Sequence, residues 1–248
     1  MFGKSRKRKE KTILKDQAKG APLVAFNNPK SIHAEQFRTI RTNLDFVNLD
    51  GNLKNLVVTS SIPGEGKSTV SANLAHVMAA TEKKVLIVDA DMRKPTLHKT
   101  FSINNDKGLS TLISQPSLKF NEVIQFSPDL NLYLMPSGPI PPNPSELLAS
   151  ARMNKIVADL NQYFDVVIFD TPPVTAVTDA QIMATKVDGV VLVVRNGYVT
   201  KDEVRTSKES LDNVNARILG YVMNSKQPQE GSGYYAYYGY AYGNGEEG

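Results

Sequence analysis

The sequence of 248 residues predicts an α/β protein with a doubly wound, mainly parallel sheet flanked by helices. Short apolar runs alternate with segments of helical period, and this alternation is typical of parallel sheets. One run, residues 165–170, is apolar on both faces, as expected for a strand buried inside such a sheet. Another, residues 56–59, passes directly into a glycine-rich turn and a helix. Right-handed crossovers are expected between the strands.

The composition fits one soluble domain with extensions. Hydrophobic residues make up 41% of the chain, enough for a sizeable core, and the length is common for an α/β domain. The absence of cysteine excludes disulfides and thiol chemistry, and it fits a reducing cytosol. No apolar run approaches the roughly 18 residues of a membrane span, and no apolar segment follows the charged N-terminus as in a secretion signal.

The positive charge is concentrated at the N-terminus. Residues 1–20 carry eight Lys or Arg and two acidic residues, a net +6, so the total of +4 leaves −2 for the rest. A basic arm suits an anionic membrane surface, at about 1 kcal/mol per basic residue. It would also suit nucleic acid, or act only as a solubilising tail. The predicted division is a basic flexible arm (1–30), a domain (31–224) and a disordered tail (225–248).

The first predicted helix begins after Ser31, a fair N-cap, and runs to about residue 49. One face carries an apolar stripe, Phe37, Ile40, Leu44 and Val47. Glu35, Arg38 and Arg41 form a separate charged stripe. This stripe is either a solvated face with a weak ion pair or a contact between protomers, and spacing alone favours the solvated face.

Residues 61–69, SIPGEGKST, predict a phosphate-binding loop between a strand and a helix. The usual pattern is G-x-x-x-x-G-K-[ST], and Ser61 replaces its first glycine. Lys67 can reach the β- and γ-phosphates of a nucleotide, and the Ser68 hydroxyl can bind Mg²⁺. The predicted nucleotide-binding residues are Pro63, Gly64, Glu65, Gly66, Lys67, Ser68 and Thr69. The alternative is a glycine-rich turn that binds nothing.

Three aspartates follow predicted strands. Asp89 and Asp91 follow the strand at residues 85–88, and Asp170 ends the strand at 165–170. Because parallel strands place ligands at their carboxyl ends, these carboxylates are expected near the phosphate-binding loop. We expect Asp91 and Asp170 to hold Mg²⁺ with the loop serine, and Asp89 to take the proton of an attacking hydroxyl. A strand-end turn with solvated aspartates is the alternative for the first pair.

The remaining elements complete the predicted alternation. Residues 96–128 are irregular, with short helical segments near 109–113 and 121–126, and residues 138–144 form a proline-rich loop. Ser145 is predicted to cap a helix through residue 160. The other predictions are strands at 130–135, 189–195 and 218–223, and helices at 179–187 and 201–213. Arg195 and Asn224 end late strands near the expected nucleotide site.

The tail contains no Val, Ile or Leu after Ser225, yet it carries six clustered tyrosines: Tyr234, Tyr235, Tyr237, Tyr238, Tyr240 and Tyr242. Such a segment cannot fold alone. The rings could stack on bases, form a sticky patch, or accept phosphoryl groups. A coil from residue 224 to 238 spans about 20 Å, which is enough to reach its own site or a neighbour's.

Several stretches resemble the bacterial tyrosine kinases (BY-kinases) of capsule and exopolysaccharide synthesis, in their Gram-positive form. They are SSIPGEGKST, VLIVDADMRKP, VVIFDTPP, AEQFRTIRTN, PSGPIPPNPSELL and the tyrosine cluster, so the resemblance spans nearly the whole chain. It implies an ATP- and Mg²⁺-dependent autokinase that forms a ring in which each tail enters the next protomer. It reverses the preference above, because Glu35, Arg38 and Arg41 match the family's E-x-x-R-x-x-R oligomerisation motif.

The resemblance also implies partners and a location. A membrane adaptor would activate the kinase, a cognate phosphatase would reverse it, and the protein would be cytoplasmic at the inner face of the membrane; no nucleic acid is expected. A partition- or septum-type ATPase is the first alternative, but it would have a lysine where this chain has Ile62, and no tyrosine tail. An ATP-binding scaffold of polysaccharide assembly is the second.

Overall fold

A computed structural model describes residues 20–48 and 53–224 of the chain. Within these stretches one sheet contains β1 (Asn55–Ser60), β2 (Val85–Asp89), β3 (Gln125–Ser127), β4 (Leu132–Met135), β5 (Val166–Asp170), β6 (Gly189–Arg195) and β7 (Ile218–Asn224). The helices of the same stretches are α1 (Val24–Asn27), α2 (Ile32–Val47), α3 (Lys67–Ala79), α4 (Leu97–Thr100), α5 (Leu109–Ser114), α6 (Pro144–Ala149), α7 (Ala151–Tyr163), α8 (Asp179–Ala184) and α9 (Lys201–Asp212).

The strands lie in the order β3-β4-β2-β5-β1-β6-β7. Only the β3–β4 pair is antiparallel among the described pairs. The predicted doubly wound, mainly parallel sheet is therefore confirmed. Strand β1 lies between β5 and β6, so the loop that follows it opens at the carboxyl edge, where such sheets bind ligands.

Both faces of the sheet are covered by helices. One core cluster joins the strands to α5, α6, α7, α8 and α9, and the other joins them to α1, α2, α3 and α4. Every residue of β2 and β5 is buried, which explains why these strands read as continuous apolar runs. Packing on both faces fixes where each strand ends, and hence where the strand-end aspartates lie.

The first predicted helix is present as α2. Its N-cap is Ser31, whose hydroxyl accepts from the N–H of Ala34 at 3.2 Å, as the sequence predicted. No helix within the two described stretches is long and apolar enough to cross a bilayer.

Part of the predicted flexible arm is structured, because α1 within residues 20–30 packs on the domain. Ala25 of α1 is buried, and its N–H donates to Asn73 Oδ1 at 2.9 Å. The same side chain donates from Nδ2 to the carbonyl of Pro22 at 2.8 Å. The Asn73 amide, on a helix far along the chain, thus pairs with backbone groups of this segment. No local sequence pattern predicts that contact.

The rest of the arm, residues 1–19, and the tail, residues 225–248, lie outside the described residues. Their assignment as arm and tail therefore remains a prediction.

The helix predicted from Ser145 to residue 160 is wrong at its start and in its continuity. It is divided into α6 and α7 at Ser150, which has extended backbone with ψ of 154°. The Ser150 hydroxyl caps α7 by accepting from the N–H of Met153 at 3.2 Å. Ser145 lies inside α6, and its hydroxyl donates to the Asp179 carboxylate.

The helical segment predicted at 121–126 is also wrong. A 3₁₀ turn at Phe120–Glu122 is followed by β3, which pairs antiparallel with β4 at the sheet edge. A three-residue strand has too little periodicity to be read from sequence.

Candidate active site

The loop after β1 has the geometry of a phosphate-binding turn. Gly64 and Gly66 have φ angles of 87° and 91°, which glycine adopts without strain. A Cβ on Gly66 would lie 2.2 Å from Nδ2 of Asn224, so this position also needs glycine for space. Helix α3 begins at Lys67, and its first N–H groups have no intrahelical acceptor. These groups and the positive helix end favour an anion.

The Lys67 ammonium lies between two strand-end carboxylates. Its Nζ is 3.0 Å from Asp91 Oδ2 and 3.8 Å from Asp170 Oδ2. The Ser68 hydroxyl donates to Asp170 Oδ2 at 2.6 Å. The structure therefore brings together four of the five side chains that the sequence placed at one sheet edge.

Asp89 adjoins this group but is fully buried. It lies opposite Asp170 in the β2–β5 register. Its Oδ2 accepts the N–H groups of Thr96 and Leu97, both at 3.0 Å, and its Oδ1 accepts that of Asp91 at 3.2 Å. Burial, followed by the charge of Asp170, raises the pKa of Asp89 to about 8. This carboxyl group can therefore exchange a proton near neutral pH.

The cluster holds an excess of negative charge, because Asp91 and Asp170 face one ammonium and Asp89 adds a further negative charge when it ionises. Burial by itself lowers the pKa of Lys67, but Asp170 and Asp91 outweigh it and raise that pKa above its usual value. The lysine is therefore permanently charged. Burial also raises the pKa of Asp170, against the opposing effects of Lys67 and Ser68. Such a site favours one more cation.

The donor set fits a magnesium ion whose remaining ligands would be phosphate oxygens and water. In the described part of the chain, no group of three His, Cys, Asp or Glu side chains forms a self-sufficient metal centre. Mg²⁺ in nucleotide sites is usually held by one or two carboxylates with phosphates and water. Asp91, Asp170 and the Ser68 hydroxyl supply that set.

Sequence reasoning missed Ser71, whose hydroxyl donates to Asp170 Oδ1 at 3.0 Å. Ser71 lies one turn after Lys67 on α3, so the i, i+4 spacing could have indicated it. Together with Ser68 it gives both oxygens of Asp170 a hydroxyl donor, which fixes the carboxylate's orientation.

Sequence reasoning also missed an ion pair behind the site. Arg93 donates from Nε to Asp179 Oδ2 at 2.9 Å and from a terminal nitrogen to Oδ1 at 3.0 Å. The Ser145 hydroxyl donates to the same buried carboxylate at 2.7 Å. This fork anchors the segment after β2 to α8. No local signal predicts it, because the two partners lie 86 positions apart.

The other predicted loop residues are in or beside the turn. Pro63 lies in the turn, and the carbonyl of Thr69, in the first turn of α3, accepts from Asn73 at 2.8 Å. The Glu65 side chain is buried and accepts backbone N–H groups, so it contacts the protein rather than the open side of the loop.

The charged stripe on α2 makes contacts within the chain. Arg38 pairs with Glu35 at 2.7 Å and donates to the carbonyl of Pro29 at 2.6 Å. Arg41 donates to the carbonyl of Val77 at 2.8 Å. The Glu35 side chain is 69% exposed and available to a partner. The six tail tyrosines lie outside the described residues.

The sheet, the glycine loop and the lysine with its aspartates define a P-loop nucleotide-binding protein. The AAA domain family matches residues 53–218. The tyrosine-protein kinase YwqD of Bacillus subtilis is 45% identical over 88% of this chain and 91% of its own length. The putative tyrosine-protein kinase CapB of Staphylococcus aureus is 41% identical, over 88% and 96%.

A solved structure agrees with these relatives. The kinase domain of Escherichia coli tyrosine kinase ETK superimposes with a TM-score of 0.81 at 35% identity, over 86% of this chain and 84% of that domain. The chain therefore belongs to the AAA-domain family of bacterial tyrosine-protein kinases.

Proposed function

We propose that this chain transfers the γ-phosphoryl group of Mg²⁺–ATP to tyrosines of its own C-terminal cluster, in trans within an oligomer. The observation that carries the proposal is Lys67 Nζ, held 3.0 Å from Asp91 and 3.8 Å from Asp170 at the mouth of the glycine loop. The proposed acceptors are Tyr234, Tyr235, Tyr237, Tyr238, Tyr240 and Tyr242. The reaction would regulate capsule or exopolysaccharide synthesis and export, as the family resemblance implies.

In the proposed reaction the phenolic oxygen bonds to the γ-phosphorus, the bond from that phosphorus to the β–γ bridging oxygen breaks, and ADP leaves. Lys67 would neutralise charge on the β- and γ-phosphates, and Ser68, Asp91 and Asp170 would hold the magnesium ion. Bound there, the ion supplies further charge neutralisation on the phosphates. The protein's contribution is therefore positioning and electrostatic stabilisation.

Asp89 is the proposed acceptor of the phenolic proton. Its pKa of about 8 lies much closer to that of a phenol than an ordinary carboxyl pKa does. A base with a pKa near the working pH combines availability with driving force. Its three backbone hydrogen bonds hold the carboxylate in one orientation.

The proposed oligomer is a ring in contact through Glu35, Arg38 and Arg41, which phosphorylation releases. Replacing the three residues with Ala should lower the mass measured by light scattering to that of a monomer. Replacing Asp202 and Arg205, an exposed ion pair on α9, is the matched control and should leave the mass unchanged. An unchanged mass for the triple variant would contradict the interface.

Further partners follow from the same resemblance. They are a membrane adaptor that activates the kinase and holds it at the inner face of the membrane, a tyrosine phosphatase, and an anionic lipid surface for the basic residues 1–19.

The test of the activity is incubation with labelled ATP and Mg²⁺, followed by mapping of the label. Lys67→Met should reduce labelling of the tail by at least about a hundredfold. Because this change leaves Asp170 without its cation, folding is checked by circular dichroism, and Asp91→Asn serves as a second variant. A folded Lys67→Met protein with undiminished tail label would refute the assignment.

The same assay separates the alternatives. Free phosphate without tail label would indicate the ATPase, and neither product would indicate the scaffold. Ile62, in place of the lysine of the partition-type ATPases, favours the kinase.

A further inference from the structure

We infer that Arg195 and Tyr198 are positioning residues that hold the phosphate-binding loop from outside. They therefore affect the binding of a nucleotide's phosphates and do not contact its base. The inference rests on the proposed function, since it concerns the same nucleotide site. It concerns two residues near the end of β6 to which the fold alone assigns no role.

The first part of the loop is held by the segment that follows β5. The carbonyl of Ser60 accepts the N–H of Val174 at 2.8 Å, and the carbonyl of Ser61 accepts the hydroxyl of Thr175 at 2.6 Å. The carbonyl of Ile62 accepts the Ser60 hydroxyl at 2.9 Å. These carbonyl groups are therefore occupied by protein donors.

The next three carbonyl groups accept from side chains at the ends of β6 and β7. The pairs are Pro63 with Tyr198 Oη at 3.1 Å, Gly64 with a terminal nitrogen of Arg195 at 2.9 Å, and Glu65 with Asn224 Nδ2 at 2.7 Å. The six consecutive carbonyl groups of residues 60–65 thus each accept from a donor within the described part of the chain. The donors to residues 63–65 all come from the side of the sheet formed by β6 and β7.

A second set of bonds attaches the loop to the same strand end. The fully buried Glu65 carboxylate accepts the N–H of Arg195 at 2.9 Å and that of Ile62 at 2.8 Å. The Arg195 guanidinium also lies 5.0 Å from the centre of the Tyr198 ring, within cation–π range. Arg195 therefore holds the loop through its backbone and its side chain, and the tyrosine ring supports the guanidinium.

The geometry of the peptide unit connects these outer contacts to phosphate binding. In a planar trans peptide the C=O and the following N–H point in opposite directions. Fixing the carbonyls of residues 63–65 on the outside therefore aims the N–H groups of residues 64–66 toward the inside of the loop. A carbonyl that turned inward would place negative partial charge against a phosphate. The outer contacts thus favour the anion-binding form before a nucleotide arrives.

A base-reading role and a phosphate-positioning role predict different ligand dependence. Loss of a contact to the base would weaken binding of ATP and leave binding of inorganic tripolyphosphate unchanged. Loss of an outer contact to the loop would weaken both equally, because both present the same phosphates.

The experiment measures dissociation constants of Mg²⁺–ATP, Mg²⁺–GTP and Mg²⁺–tripolyphosphate by calorimetry for Arg195→Met. We expect all three to weaken by a similar factor of about ten, the size of one lost charged hydrogen bond. Tyr198→Phe, which removes only one hydroxyl, should weaken all three by a smaller common factor. Arg205→Met on α9, whose side chain is 68% exposed, is the matched control and should match the wild type.

Three results would overturn the inference: a loss confined to ATP, unchanged affinity for all three ligands, or a wild type that does not bind tripolyphosphate. Tyr198→Phe decides the matter if Arg195→Met does not fold. The outcome is separable from the proposed kinase activity, because binding of tripolyphosphate is measured without phosphoryl transfer. Tail label with unchanged tripolyphosphate affinity would sink the inference alone.

Discussion

The two ends of the same parallel strands are both polar, yet the carboxyl edge is buried and the amino edge is partly open to solvent. At the carboxyl edge, Lys67 faces three buried or nearly buried carboxylates, Asp89, Asp91 and Asp170, with at most 4% exposure each. Burial raises the pKa of Asp89 and of Asp170 there, so the charged forms are disfavoured.

The amino edge is electrostatically satisfied. Asn55 donates from Nδ2 to Asn161 Oδ1 at 2.9 Å and accepts the N–H of Asp188 at 2.9 Å. The Asp188 carboxylate in turn accepts the N–H groups of Lys54 and Asn55 at 2.8 and 2.9 Å. Neutral amides, one carboxylate with two backbone donors and the Lys186 ammonium, which donates to Asn154, leave little unbalanced charge.

This difference indicates that unbalanced charge, and not the size of a cleft, marks the candidate site. A cleft of about 420 Å³ lies at the amino edge, lined by Asn55, Asn161 and Asp188 among others. Asn55, Asn161 and Asp188 hydrogen-bond to one another and to nearby backbone N–H groups, so their polar atoms already have partners. The carboxyl edge gives up stability to bury like charges, as functional sites commonly do.

The largest expected effect comes from removing charge at the carboxyl edge. Asp170→Asn preserves shape but removes a proposed magnesium ligand, so tail phosphorylation should fall by at least about a hundredfold. The free energy of unfolding should change by no more than about 1 kcal/mol, because relief of the buried charge and of its repulsion with Asp91 offsets the weaker Lys67 contact. Label incorporation and urea denaturation test the two statements. Undiminished labelling would contradict the proposed difference between the two edges.

The corresponding Asp-to-Asn substitution at the amino edge should lower stability and leave phosphorylation unchanged. Asp188→Asn replaces a charged acceptor of two N–H groups with a weaker neutral one, which should cost about 1 kcal/mol of stability. Phosphorylation by the folded variant should equal that of the wild type. A loss of labelling at a temperature where the variant is folded would show that the two edges are coupled.

A third expected effect is on the pH dependence of stability without Mg²⁺ or nucleotide. The folded pKa of Asp89 is raised from 3.8 to about 8, so its protonated form favours the folded state. Its contribution is fully present below pH 4 and is lost as the pH rises toward 8. Urea denaturation should show the wild type losing more stability between pH 5 and pH 8 than Asp89→Asn. Parallel profiles would contradict the raised pKa.

The sequence predicted elements whose signal is local. Strands β2 and β5 appear as continuous apolar runs because both of their faces are buried, and their terminal aspartates are placed by the strands themselves. The glycine loop was also predictable, since the flanking strand and helix supply its context.

Features held by distant partners were not predictable. Helix α1 depends on Asn73 of α3, and Ser145 contacts Asp179 instead of capping a helix. Tyr198 reaches the loop from 135 positions away, so no spacing rule connects it to Pro63. Sequence periodicity reports burial, but it does not report which polar groups meet across the fold.

The most direct test of the contrast between the two edges is thermal stabilisation by a non-hydrolysable Mg²⁺–ATP analogue. At about a hundred times its dissociation constant, the ligand should add about 2.7 kcal/mol to the stability of the wild type and of Asp188→Asn. Asp170→Asn should show little of this magnesium-dependent gain. A full gain in Asp170→Asn, or its loss in Asp188→Asn, would contradict the account.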